Sequence, residues 1–304
     1  MRVTLIHNPK AGRHARNDAA RLCRFLREFG YEVRYHSAKD KGLKRVLRKP
    51  ADLVMVAGGD GTVAKVARRM VGRGVPIAVL PSGTANNVAR ALGLLERPFE
   101  EIVRALDGGL QNARRVKVDI GRVAGPWGER NFMEGVGAGL FARLLAEPAS
   151  EKLKDGRSPV KRGLRALRDA AAEFEPIEIV AALDGRDISG RYLLMEAVNM
   201  PYIGPNLHLA LESRPGDGEL DVVLVTEAER ERLVHYLDEW QENRERLAIL
   251  PSVRGRRLEL EWTGFAMHLD DKARPNPDDE PDELAGIVEV AVDADSAVEF
   301  LIPA

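Results

Sequence analysis

Apolar residues in the first hundred positions fall into two alternating kinds of block. Residues 3–7 (VTLIH) are a short unbroken run, which reads as a buried strand. The loop Asn8-Pro9-Lys10-Ala11-Gly12-Arg13 follows. Ala19, Leu22, Cys23, Leu26 and Phe29 then recur at helical spacing, which predicts a helix from about 15 to 29, closed by Gly30. Residues 31–36 read as a second strand. The pattern then recurs twice. Residues 52–57 predict a strand, Gly58-Gly59-Asp60-Gly61-Thr62 a turn and residues 63–71 a helix. Residues 75–80 predict a strand, Pro81-Ser82-Gly83-Thr84 a turn and residues 85–92 a helix. Continuous apolar strands alternating with helices imply right-handed βαβ units and an open parallel sheet covered on both faces.

From residue 113 the pattern changes to short segments separated by turn signals: 115–123, 177–183, 192–198, 220–225, 257–261 and 287–292. These predict a mainly antiparallel sandwich or barrel. The fold class is therefore an α/β N-terminal domain with an open parallel sheet, residues 1–112, and a mainly antiparallel β-sandwich C-terminal domain, residues 113–304. The last strand is free to return toward the first domain. Residues 159–174 predict an amphipathic helix with Val160, Leu164, Leu167, Ala171 and Phe174 on one stripe. Lys161, Arg162, Arg165 and Arg168 lie off the stripe, after Lys152, Lys154 and Arg157. Such a helix either packs its stripe on the core or docks on anionic lipid. Residues 275–283 (PNPDDEPDE) read as an acidic, solvated loop.

Composition narrows the class. The 304 residues are 44% apolar, enough for a core without disulfides or a structural metal. A net charge of −1 hides a split. Residues 1–112 carry 21 Lys/Arg against 10 Asp/Glu, a net of +11, and the remainder carries 25 against 37, a net of −12. A basic first half suits an anion such as a phosphate or an anionic membrane. The one cysteine, Cys23, falls in the helical pattern as a buried thiol, in keeping with a reducing cytoplasm. No apolar run approaches the ~18 residues that span a bilayer, and the start is too short in apolar residues for a signal peptide. The expectation is a cytoplasmic chain that meets a membrane, if at all, peripherally at its inner surface. There is no zinc spacing, no Ser/His/Asp order and no interleaved basic and aromatic platform for nucleic acid. Oligomeric state, a homodimer included, stays open.

In open parallel sheets, ligands bind beyond the carboxyl ends of the strands. The three glycine-containing loops all fall there. Glycine lets backbone amides approach a ligand closely, and a following helix offers free N–H groups and the positive end of its dipole. Thr62 and Thr84 are placed to cap helices or to bond phosphate oxygens. Three such turns in a basic half point to phosphate binding. No Gly-Lys-Ser/Thr follows, so this is not a Walker A loop, and Gly-x-Gly-x-x-Gly is absent too.

Asn8-Pro9-Lys10-Ala11-Gly12, Gly58-Gly59-Asp60-Gly61-Thr62 and Pro81-Ser82-Gly83-Thr84-Ala85-Asn86-Asn87-Val88-Ala89 together resemble the diacylglycerol kinase catalytic-domain family. That family includes sphingosine and ceramide kinases and many bacterial lipid kinases. Gly-Gly-Asp-Gly-Thr alone is shared with NAD kinases; the longer Gly-Thr-Ala-Asn-Asn-Val-Ala segment points to the lipid kinases. The resemblance is strong over residues 1–95 and diffuse afterwards.

The resemblance implies ATP on the first domain, held by Gly58, Gly59, Asp60, Gly61, Thr62, Val63, Ala64 and Thr84, with Asn8 beside it. Asp60 would orient a Mg²⁺–ATP complex. A further nucleotide contact falls on His36 or Ser37. The lipid would bind the second domain and be met at a membrane surface. A structural Mg²⁺ is implied at the Asp217 carboxylate and the backbone carbonyls of Arg214 and Glu219, where the plain reading of Pro215-Gly216-Asp217-Gly218 is a turn. Asp270 is implied as general base, taking the proton of the lipid hydroxyl; the plain reading makes Asp270 and Asp271 exposed carboxylates at a strand end. The family's Asp-Gly-Glu is here Asp270-Asp271-Lys272, and Phe141 stands where the family places an Asp after its Gly-rich stretch, here Gly135–Gly139. Asn87 also departs from relatives. The expected activity is transfer of the γ-phosphate of ATP to a hydroxyl of a diacylglycerol-like or sphingoid-like lipid. The alternatives are an NAD kinase-like phosphotransferase and a nucleotide-binding regulatory module without catalysis.

Overall fold

The structure is a computed structural model that describes residues 1–11, 18–95, 97–107, 113–146, 158–242, 249–274, 285–293 and 296–303. The acidic segment 275–283 and the basic residues Lys152, Lys154 and Arg157 lie outside the described residues. The chain divides into two units, Met1–Ile120 with Ala294–Ala304, and Gly121–Asp293.

The first unit runs β1 (Arg2–His7), α1 (Ala19–Glu28), β2 (Glu32–Ser37), α2 (Leu43–Val46), β3 (Leu53–Gly58), α3 (Asp60–Met70), β4 (Ile77–Pro81), α4 (Asn87–Ala91), α5 (Phe99–Asp107) and β5 (Arg114–Val118). The second runs β6 (Gly121–Gly125), β7 (Gly128–Phe132), β8 (Gly135–Gly139), α6 (Leu140–Ala146), α7 (Pro159–Glu173), β9 (Ile177–Ile179), β10 (Ala181–Leu183), β11 (Arg186–Asp187), β12 (Gly190–Val198), β13 (Tyr202–Ile203), β14 (Leu207–His208), β15 (Leu220–Thr226), α8 (Arg230–Glu242), β16 (Ser252–Gly255), β17 (Arg257–Trp262), β18 (Met267–Leu269), β19 (Lys272–Arg274) and β20 (Gly286–Ala291). The final strand, β21 (Val298–Ile302), returns to the first unit.

The first sheet has the order β2-β1-β3-β4-β21-β5. All its pairs are parallel except β21 with β5. Every residue of β3 is buried, as a parallel strand covered on both faces requires. Helix α1 begins where the Asp18 side chain accepts from the Ala20 amide, and ends at Gly30, whose φ of +76° only glycine adopts cheaply. Two boundaries differ from the sequence expectation. The segment 115–123, read as one strand of the second domain, splits: β5 pairs with β21 in the first sheet and β6 opens the second unit. The first unit accordingly extends to Ile120 rather than ending at 112. Helix α3 starts at Asp60, not 63, so Gly61 and Thr62 lie in its first turn.

In the second unit, two antiparallel sheets, β11-β10-β17-β20-β6-β7 and β16-β15-β12-β8-β18-β19, enclose a core that includes Phe132, Met195, Trp262 and Met267. The other face of the second of these sheets is covered by α6, α7 and α8 through a separate apolar cluster. Leu164, Leu167 and Ala171 of α7 are buried there. The apolar stripe of this helix therefore belongs to the core, while Arg165 and Arg168 pair with Asp169 and Asp238. Helix α8 escaped the sequence reading because its apolar residues are interleaved with charges. Among the described residues no helix is long and apolar enough to cross a membrane.

Candidate active site

The three glycine-bearing loops leave the carboxyl ends of β1, β3 and β4 and are hydrogen-bonded to one another. The Asn8 amide donates to the Ala57 carbonyl at 2.9 Å, and Asn8 Nδ2 donates to Thr62 Oγ1 at 3.1 Å. The Ser82 amide donates to the Gly58 carbonyl at 3.0 Å. Asp60 Oδ1 accepts from the Val88 amide at 3.0 Å, at the N-terminus of α4. Burial raises the Asp60 carboxyl above the usual range, and the amides of Val88, Asn87 and Asn86 offset only part of that. Asp60 is thus a cap for α4 and a staple between two loops.

Glycine at 59 has a different cause from the one its motif suggests. Its φ of −97° and ψ of −175° suit any residue. A Cβ there would lie 2.8 Å from the Gly83 Cα, and a Cβ on Gly83 would lie 2.4 Å from the Gly59 Cα. The two loops touch backbone to backbone. Gly83 is further fixed by Asn86, whose Oδ1 accepts from its amide at 2.8 Å and whose Nδ2 donates to its carbonyl at 3.0 Å. Asn86 itself sits at φ +55°.

The remaining nucleotide-site residues divide. Gly61 is exposed in the first turn of α3, where the Thr62 and Val63 amides donate to the Gly59 carbonyl at 2.9 and 3.1 Å. Val63 and Ala64 are buried, so their side chains belong to the core. Thr62 is buried and accepts from Asn8, and among the described residues its side chain caps no helix. Thr84 is exposed, and the capping expected of it is done by Asp60. Ser37 Oγ accepts from the Lys39 amide at 3.2 Å, shaping the turn after β2, while His36 is half-buried in the strand.

In the second unit Asp270 opens the two-residue turn between β18 and β19. It is buried, whereas the Asp271 side chain is 65% exposed and lies 3.4 Å from Lys272. The two carboxylates are therefore not equivalent. Asp270 Oδ1 accepts from the Glu134 amide at 2.7 Å and the Met133 amide at 3.0 Å, with the Gly135 amide at 3.4 Å. The Met133–Gly135 stretch is held in turn by Asn199, whose amide donates to the Glu134 carbonyl at 2.9 Å and whose Nδ2 donates to the Met133 carbonyl at 3.1 Å. Asp270 takes the left-handed conformation, φ +49°, and Asp271 does not have a positive φ. The hairpin thus closes without the glycine that the family places after its Asp.

At the implied metal loop, Asp217 Oδ1 accepts from the Glu219 amide at 3.1 Å and Oδ2 pairs with Arg254. Glu219 and Asp221 reach the same guanidinium at 3.1 and 3.3 Å. Burial raises the Asp221 carboxyl, against Ser213 and Arg254, which lower it. Hard oxygen donors are present, but a guanidinium already supplies their positive charge, so the arrangement does not fit a cation at Asp217 as it stands. Among the described residues no group of three or more His, Cys, Asp or Glu is arranged to hold a metal. Cys23 is buried, which raises its thiol.

Several buried polar residues went unnoticed in the sequence: Asp119, Glu134, Asn199, Glu196 and His268. The available signal was a polar residue within an apolar strand, as in Leu194-Met195-Glu196-Ala197-Val198 and Met267-His268-Leu269.

Residues 2–123 match the diacylglycerol kinase catalytic domain, and residues 136–276 match the YegS C-terminal NAD kinase beta sandwich-like domain. The diacylglycerol kinase of Bacillus subtilis (strain 168) is 28% identical over 235 residues, covering 75% of this chain and 74% of that protein. The diacylglycerol kinase of Mycobacterium tuberculosis (strain CDC 1551 / Oshkosh) is 27% identical over 244 residues, covering 77% and 76%. A crystal structure of a diacylglycerol kinase from Bacillus anthracis str. Sterne superimposes with a TM-score of 0.67 at 16% identity, covering 99% of this chain and 96% of the other. With both domains matched in order along the sequence, the chain belongs to the diacylglycerol kinase catalytic-domain family.

Proposed function

We propose that this protein transfers the γ-phosphate of ATP to a hydroxyl of a diacylglycerol-like lipid met at a membrane surface. The lacing of the Asn8, Gly58–Thr62 and Gly83 loops at one sheet edge carries the reading. Gly58, Gly59 and Gly83 let the loops close on one another, the exposed Gly61 leaves room for the triphosphate at the start of α3, and the α3 N-terminus favours its charge. Val63 and Ala64 act only by building the start of α3, the Val63 amide donating to the Gly59 carbonyl at 3.1 Å. Thr84 is free to reach a phosphate oxygen. Mg²⁺ bound with ATP would neutralise charge on the triphosphate.

Asp270 is the proton acceptor. Its amide donors fix the direction of the carboxylate, as a general base requires. The lipid oxygen forms a bond to the γ-phosphorus, the bond from that phosphorus to the β–γ bridging oxygen breaks, ADP leaves, and the hydroxyl proton passes to the Asp270 carboxylate. The products are ADP and a lipid phosphate.

The NAD kinase alternative is not favoured, since the N-terminal match is to the diacylglycerol kinase catalytic domain. The test is purified protein with γ-labelled ATP and Mg²⁺, offered vesicles of diacylglycerol, vesicles of sphingosine, and NAD. Label in the diacylglycerol fraction is expected. Label in NAD, or ATP binding with no turnover on any acceptor, would overturn the proposal.

A further inference from the structure

Two ionisable side chains beside the Asp270 turn have no part in the mechanism above. Glu196 on β12 and His268 on β18 are both fully buried. Strand β8 runs between them, and Gly137 is in register with both. A Cβ at 137 would lie 2.0 Å from Glu196 Oε2. Glycine therefore opens the gap through which Glu196 reaches across a whole strand, and its Oε2 lies 2.7 Å from His268 Nε2. The other ring nitrogen, Nδ1, is 2.9 Å from the backbone carbonyl oxygen of Asp270. Phe141 covers the imidazole edge-on, with ring centroids 4.7 Å apart.

The protons follow from the partners. A carbonyl oxygen only accepts, so Nδ1 carries a hydrogen and donates it to Asp270. Nε2 and Oε2 then share one proton, and the pair has no net charge whichever atom holds it. Burial raises the Glu196 carboxyl, which His268 opposes only in part. Burial alone would lower His268, but the charge and hydrogen bond of Glu196 outweigh it and raise the ring. Both shifts keep the shared proton in place. Glu196 Oε1 has no partner among the described residues.

Stability does not account for this pair, because well-packed apolar residues in place of a buried ion pair are often neutral or stabilising. The Asp270 backbone does account for it. A left-handed non-glycine residue persists only where its surroundings hold it. Here the Gly135 carbonyl accepts from the Asp270 amide at 2.8 Å, and His268 holds the Asp270 carbonyl from the other side.

We infer that Glu196 and His268 are positioning residues: the pair clamps the Asp270 carbonyl and so holds the turn that aims the Asp270 carboxylate. This rests on the reading of Asp270 as general base.

The test compares the double variant Glu196→Met/His268→Leu with Glu196→Gln and Asp270→Asn. The double variant should unfold at or above the wild-type midpoint and keep its KM for ATP, while kcat falls about 10- to 100-fold. Glu196→Gln, whose amide N–H can donate to Nε2 and preserve the Nδ1–H form, should keep kcat within about threefold. Wild-type kcat in the double variant beside an inactive Asp270→Asn overturns the clamp and leaves the base in place. An active Asp270→Asn overturns the base itself. Nitrogen-15 NMR of His268 in the unmodified protein gives a reading that depends on no variant's folding. A protonated Nδ1 is expected, and an Nδ1 without a proton overturns the inference.

Discussion

At the edge of the first sheet, Asp60 accepts the Val88 amide at 3.0 Å; in the second unit, Asp270 accepts the amides of Met133 and Glu134 at 3.0 and 2.7 Å. The device is the same, a carboxylate gathered by consecutive backbone N–H groups. Its purpose differs. The amides around Asp60 belong to a helix N-terminus, so the carboxylate caps α4 and ties two loops together. What those loops offer a ligand is backbone. The amides around Asp270 belong to the stretch that joins β7 to β8, and the carboxylate they orient is the one proposed as general base. A site made of backbone needs glycines at fixed spacing. A site made of one side chain needs a frame gathered from distant parts of the chain.

The sharpest way to break this comparison is to neutralise each carboxylate in turn. Asp270→Asn should lower kcat by about 10²–10⁴-fold with ATP affinity nearly unchanged, measured by steady-state kinetics and calorimetry. Asp271→Asn is its control and should leave kcat alone, since that side chain is 65% exposed and its ion pair with Lys272 lies at the surface. Equal losses in the two variants would mean that burial and amide donors do not single out Asp270. Next in size is Gly59→Val. With Gly83 only 2.8 Å from the new Cβ, the two loops must separate, at a cost of about 1–3 kcal/mol. ATP affinity should drop at least about tenfold while the far-ultraviolet spectrum of the fold persists. Unchanged affinity would show that the loops do not act as one cradle.

The same contrast explains what could be read from residues alone. The parallel sheet, its three glycine loops and their common edge followed from apolar runs punctuated by glycine, because each signal is local. The reason for Gly59 did not, since nothing in Gly58-Gly59-Asp60 announces that Gly83 lies against it. The Asp60 carboxylate was expected to orient a Mg²⁺–ATP complex, and the motif could not show that α4 begins beside it. In the second unit Asp270 was reached through the family resemblance. The frame that holds it escaped, because Gly137, Glu196 and His268 meet only through the register of three strands. The domain boundary escaped for a related reason: β5 belongs to the first sheet by pairing with β21, almost two hundred residues further along the chain.

A smaller effect tests the stapling role of Asp60. Asp60→Ala removes the cap of α4 and should lower stability by about 1 kcal/mol in urea unfolding. Burial raises this carboxyl above its unfolded value, so its contribution is present at low pH and is lost as pH rises through the folded value. The deficit of the alanine variant should therefore be larger at acid pH than at neutral pH. A deficit that grows with pH would mean that the carboxylate is held mainly by its amides and that burial is the lesser influence.

The smallest expected effect lies at the loop where a structural Mg²⁺ was implied. Asp217, Glu219 and Asp221 converge on Arg254, whose side chain is 43% exposed, so solvent screens the pairs and each contributes little. Arg254→Met should lower the unfolding midpoint in EDTA by about 1–3 °C, within the range of partly exposed ion pairs. The variant leaves three carboxylates without a counter-charge, and hard oxygen donors then favour a hard cation. Millimolar Mg²⁺ should restore the variant's midpoint and leave the wild type nearly unmoved. If wild type gains as much from Mg²⁺ as the variant does, a cation binds beside Arg254 instead of in its place. The assignment of Arg214, Asp217 and Glu219 as ligands would then hold, and the second unit would depend on a charge brought from solution where its own chain already carries one.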